Sequence, residues 1–121
     1  MDIQKTRQYY KTVDQSQLCD CDYCLNYIKQ IKSEYPVVSE YLDSLGVDIA
    51  KPFETMPLEP DNQGKIEYTS VLYVVLGNKN QFKNTTFSNV RIEVTTSHPS
   101  TDIQDNHFVI EVYPIVLKWD I

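Results

Sequence analysis

Cys19, Cys21 and Cys24 are all the cysteines of this chain, and they fall within six residues as Cys19-Asp20-Cys21-Asp22-Tyr23-Cys24, a C-x-C-x-x-C spacing. Thiolates are soft donors, and zinc takes four such donors or imidazoles in a tetrahedron, with sulfur at about 2.3 Å. A tight turn leading into a helix can aim three thiolates at one point while the backbone amides of the helix start offset their charge. The fourth ligand must come from elsewhere, and His98 and His107 are the only histidines, flanking one polar loop. The sharpest reading is therefore a structural zinc site of Cys19, Cys21 and Cys24 with His98 or His107, tying the helical half of the chain to its strands.

Two other readings of the same residues stand beside it. In the plainer one Cys24 is a small hydrophobe on a buried helix face, and Cys19 and Cys21 are incidental thiols. A strong zinc signature has two paired knuckles, whereas this chain has one, and an iron–sulfur cluster normally takes four cysteines. In the other, Cys21 or Cys24 is a nucleophile whose pKa is lowered by the helix start, opposed by the negative neighbours Asp20 and Asp22. The remaining polar residues carry less chemistry. His98-Pro99-Ser100 reads as a turn, Asp102, Asp105 and Glu111 have no acid–base pairing pattern, and residues 102–106 lack the glycine and ligand periodicity of a calcium loop. Only three glycines exist, each at a turn, so there is no phosphate-binding loop.

The elements that must position these residues are legible from local pattern. Ile3, Arg7, Tyr10 and Val13 carry a weak helical spacing over 3–13, with Asp2 placed as its cap. Residues 14–17 read as a loop or frayed turn. From Cys24, the spacing Cys24, Tyr27, Ile28, Ile31 and Tyr35 predicts a helix over 22–35 with Asp20 or Asp22 as its N-cap. Pro36 ends it and suits the first position of a new helix over 36–45. Gly46 stops that helix, and Leu42 and Val47 fall where side chains meet in a Schellman ending.

Pro52, Pro57 and Pro60 make the following segment an extended connector, pairing at most along an edge around 53–56. Residues 66–76 end in Val71-Leu72-Tyr73-Val74-Val75-Leu76, apolar at every position, as in a central strand covered on both faces. A short edge strand fits 85–87. Residues 90–96 alternate, with Val90, Ile92 and Val94 inward, and 107–117 form a last strand interrupted at Pro114, at an edge or a bulge. Trp119 is placed to cap the core. Helices first and strands after predict one α+β domain over 1–121, the helices on one face of a mainly antiparallel sheet of three to five strands.

Composition narrows the function classes. The chain has 121 residues and a net charge of −6, with six Lys/Arg against ten Asp/Glu in residues 1–60 and five against seven in 61–121. Without a basic run, nucleic-acid binding and attraction to anionic membranes are disfavoured, and acidity at this level is usual for solubility. The N-terminal residues have no apolar core of the signal-peptide kind and no stretch approaches a membrane span, so the expected location is cytoplasmic. There thiols stay reduced, and an odd count of three does not build a disulfide framework.

The chain also resembles a family of small uncharacterised bacterial proteins. The residues that carry this are the cysteine-rich helix start Cys19–Cys24, the segments 44–49 (SLGVDI) and 51–54 (KPFE), Ser97-His98-Pro99-Ser100, and His107-Phe108 ahead of Pro114 and Trp119. The resemblance implies a bacterial protein of unknown function and carries no activity, cofactor or catalytic residue. The expectation is thus a non-enzymatic accessory or interaction module, its partner another protein and its metal structural. The alternative is a small enzyme using a metal-bound water or a reactive cysteine near His98 or His107. Oligomeric state is not legible in the sequence.

Overall fold

Local signals start and stop each helix. In the computed structural model, which describes Met1–Ile121, helix α1 runs Ile3–Thr12 behind Asp2, whose carboxylate accepts from the Lys5 amide at 2.9 Å. Asp14 and Gln17 then form a reciprocal cap, the Asp14 amide donating to Gln17 Oε1 at 2.7 Å and the Gln17 amide to Asp14 O at 2.9 Å. Residues Gln15–Gln17 are therefore a 3-10 turn, where sequence pattern reads a loop or frayed turn.

Helix α2 spans Asp22–Glu34 and α3 spans Pro36–Ser44, separated only by Tyr35, with Pro36 opening α3. Each of the three helices thus stops one residue short of its expected end. At the end of α3, Val47 N donates to Leu42 O and Gly46 N to Asp43 O, both at 2.9 Å, the two bonds of a Schellman motif. Gly46 has φ +87°, and a Cβ there would stand 2.6 Å from Ile3 O and 2.8 Å from Arg7 N, so glycine lets α1 lie directly on this turn.

The strands are β1 (Glu54–Pro57), β2 (Lys65–Leu76), β3 (Thr85–Phe87), β4 (Val90–Thr95), β5 (His107–Tyr113) and β6 (Ile115–Lys118). They form one antiparallel sheet in the order β1-β2-β5-β4-β3, with β6 on β2, giving the expected α+β architecture with six strands in place of three to five. The extra strand arises at Pro114. Strands β5 and β6 keep one register on β2, Val71 opposite Val112 and Tyr68 opposite Ile115, so Pro114 interrupts a single long partner strand at the rung of Thr69. Beyond that rung β4 no longer covers the outer side, because Arg91 pairs with Tyr113 and β6 pairs with β2 alone. A residue without an amide donor is tolerated there. On the other side of β2 the register with β1 slips between Met56 and Pro57, again at Thr69.

This rung also switches which residues face the helices. The buried core takes Ile66 and Tyr68, then Val71, Tyr73 and Val75, from β2, and Phe108, Ile110 and Val112, then Ile115 and Leu117, from β5 and β6. Each series skips two residues at the same place, so the cross-strand pairing survives and both apolar series stay inward. Against them pack Tyr10 of α1, Tyr27 and Ile31 of α2, and Val38 and Leu42 of α3. Tyr27 and Tyr73 share a 2.5 Å hydroxyl contact, and Tyr73 donates to Ile49 O at 2.7 Å.

Beyond β1, helix α1 takes the place of a strand along the edge of β2. Asp2 N donates to Leu76 O at 2.8 Å, Thr6 Oγ1 accepts from Leu76 N at 3.0 Å, and Tyr10 Oη donates to Val74 O at 2.7 Å. Buried backbone groups must find partners, and here side chains of a helix supply them. Trp119 is half-buried against the core, its ring 5.3 Å from that of Tyr23. No helix is long and apolar enough to cross a membrane.

Candidate metal centre

The three cysteines arrive by different constraints. Cys24 sits on the buried face of α2, and its sulfur lies 3.3 Å from the hydroxyl of Thr55 in β1, itself buried. Cys21 is the N-cap of α2, with extended backbone (φ −67°, ψ 161°) and a carbonyl that accepts the first helical bond from Leu25 N at 2.9 Å. The expected caps, Asp20 and Asp22, do not take that place. Asp22 is already helical, leaving its carboxylate in the first turn beside the positive end of the dipole. Cys19 lies in the two-residue connector between Leu18 and Cys21, and both it and Cys21 are exposed.

All three sulfurs lie within 4.8 Å of one another, and Cys19 Sγ stands 3.2 Å from Cys21 Sγ. Four sulfurs at about 2.3 Å from a tetrahedral zinc are about 3.8 Å apart, so this triangle already brackets the size a metal needs. Cys24 is held by packing, while the two exposed thiols have room to adjust. A hollow of about 40 Å³ adjoins Cys19 and Cys24, lined by Leu18, Ile28, Pro52 and Phe53 together with the polar Gln17 and Glu54.

The thiols differ in acidity. Burial pushes Cys24 up to about 12, and the Thr55 hydroxyl only partly offsets this, while the neighbouring Cys19 and Cys21 reinforce it. For Cys21 slight burial works upward, but the Cys24 amide, the thiols of Cys19 and Cys24 and the Tyr23 amide together outweigh it, and its pKa falls below the ordinary thiol value. Of these two thiols Cys21 is therefore the more readily ionised and Cys24 the more firmly protonated. A metal must displace the Cys24 proton to recruit its sulfur.

The histidines are not part of this group. Cys24 contacts Thr55, which pairs with Val71, whereas His107 pairs with Leu76, five residues further along β2. At about 3.4 Å per residue the two places are about 17 Å apart along the strand. His107 is held where it is, Nε2 at 2.7 Å from Thr101 Oγ1 and Nδ1 at 2.8 Å from Asp105 O, and His98 Nδ1 lies 2.7 Å from Pro99 O. Both line a separate hollow of about 290 Å³ beside Asn78 and Asn106. The expectation that one of them joins the cysteines is therefore replaced by a group of three sulfurs alone, because the strand register carries the histidine-bearing loop to the far end of β2.

Thr55 is a site residue that sequence reasoning missed, since nothing local marks a threonine of an edge strand as the neighbour of Cys24. The Asp14–Gln17 cap, which fixes the chain just before Cys19, does have a readable signal in its i, i+3 spacing. Comparison with family models, with curated proteins and with solved structures found no match.

Proposed function

We propose that Cys19, Cys21 and Cys24 hold a zinc ion as a structural staple in a non-enzymatic accessory module that acts by binding another protein. The observation that carries this reading is the gathering of three sulfurs within 4.8 Å at the start of α2, one of them anchored in the core. Held together by one ion, they would fix the Leu18–Cys21 connector to the helix start and, through Cys24 and Thr55, to the edge strand β1. Thiolates are the donor class zinc favours, and the amides at the helix start offset their charge. The partner half of the reading draws on Leu25, Met56 and Leu58, exposed apolar residues of which Leu25 and Met56 adjoin the contacting pair Cys24 and Thr55.

Elemental analysis of protein purified without chelators tests it. One equivalent of zinc per chain is expected, falling well below one in each Cys→Ser variant and unchanged in His98→Ala and His107→Ala. Metal-free protein from such a preparation would sink the zinc reading.

One observation favours a second reading, a reactive thiolate. Cys21 is exposed and has a lowered pKa at a helix start, which are the marks of a nucleophilic cysteine. Alkylation separates the two readings. A metal ligand is protected by stoichiometric zinc and uncovered by a chelator, whereas a free nucleophile alkylates at Cys21 at the same rate in both conditions.

A further inference from the structure

This inference rests on the metal reading above and concerns the place that the chain leaves for a fourth ligand. A tetrahedral ion needs four donors, and the metal-capable atoms gathered here are three sulfurs, with no imidazole or carboxylate among them. His98 and His107 are engaged in their own loop at the far end of β2. Cys19 and Cys21 are exposed, so an ion held with Cys24 by their sulfurs lies at the surface of the protein, within reach of solvent and of a donor from outside.

We infer that a divalent ion held by Cys19, Cys21 and Cys24 keeps one coordination position open to a neutral donor from outside the chain. The donor class is water for the protein alone and an imidazole, as on a histidine of the protein partner, in the complex. Charge selects neutrality. Three thiolates bring a divalent ion to a net charge of −1, and Asp20 and Asp22 flank Cys21 on both sides with further negative charge. A fourth thiolate or a carboxylate would add a full charge to that surface, and an imidazole adds none. The module thereby joins its partner through a metal bond. Its affinity for the partner then depends on metal occupancy.

Cobalt(II) in place of zinc reports ligand number and type through its visible spectrum. The cobalt-loaded protein is titrated with imidazole and, separately, with 2-mercaptoethanol at neutral pH, and its spectrum is followed against protein concentration. The expected result is thiolate-to-cobalt absorption whose d–d bands shift saturably with imidazole, at lower concentrations than with the thiol. The starting spectrum should not depend on protein concentration or on His98→Ala and His107→Ala. Bands that imidazole does not move would overturn the open position. Bands altered by either histidine variant or by dilution would assign the fourth ligand to this chain or to a second copy of it, and would overturn the inference equally. Tighter binding of the thiol would overturn neutrality. Absence of any thiolate-to-cobalt absorption would defeat the metal reading itself, an outcome distinct from all of these.

Discussion

The three cysteines differ in burial but would be equivalent as metal ligands, and that contrast fixes a pattern of stabilities. Cys19 and Cys21 are exposed, so in metal-free protein Cys19→Ser and Cys21→Ser should each change stability by no more than about 0.5 kcal/mol. Cys24 is 6% exposed, so Cys24→Ser replaces a buried sulfur with a smaller and more strongly hydrated hydroxyl and should cost about 1–2 kcal/mol even without metal. Zinc at about 100 times its dissociation constant stabilises the native state by about 2.7 kcal/mol. At about 4 °C per kcal/mol for a chain of this size, the melting temperature of the wild type should rise by about 10 °C. Every variant should lose most of that rise, because each lacks a donor. The assay is thermal unfolding of the four proteins with buffered zinc and with chelator. If zinc raised Cys19→Ser as far as the wild type, Cys19 would not be a ligand and the three-sulfur geometry would be wrong. If zinc moved none of the four, the staple would be refuted outright.

Other expectations concern the frame that holds the site. Thr6→Val removes the oxygen that accepts from Leu76 N and leaves a buried amide unpaired, so it should cost about 2–3 kcal/mol in urea unfolding. Thr6→Ser keeps the oxygen and should cost about 1 kcal/mol; equal costs would refute the role of α1 as a substitute strand. The buried phenols of Tyr10, Tyr27 and Tyr73 have pKa values raised, first of all by burial. Because the folded state favours their neutral form, their contribution is fully present below the ordinary tyrosine value of 10.0 and is lost as pH rises above it. Phenolate absorbance during an alkaline titration should therefore show part of the nine tyrosines ionising only together with unfolding; independent ionisation of all nine in folded protein would contradict their burial.

Much of the molecule was determined by interactions within a few residues, and that much was legible in the sequence. Asp2 caps α1, Pro36 separates α2 from α3, Gly46 closes α3 with Leu42 and Val47, and the alternation from Val90 places Ile92 in the core. Each depends on a hydrogen bond or a steric limit spanning five residues or fewer, or on the period of a single strand. The cysteine triangle is legible for the same reason, since a turn and one helical step gather its three members.

What the tertiary structure alone decided lies between distant segments. The two residues skipped at Thr69 and Pro114 keep both apolar series inward, and neither strand's pattern reveals that the skips face each other. The edge of β2 is completed by hydroxyls of α1 more than sixty residues away. The same holds for the metal centre. His98 and His107 are the only imidazoles in the sequence, yet the pairing of Leu76 with His107 carries them to the far end of the strand beside which Cys24 and Thr55 meet. Sheet register is set by which faces can be buried, a sum over many contacts, and it overrode a ligand set that residue types alone had made attractive.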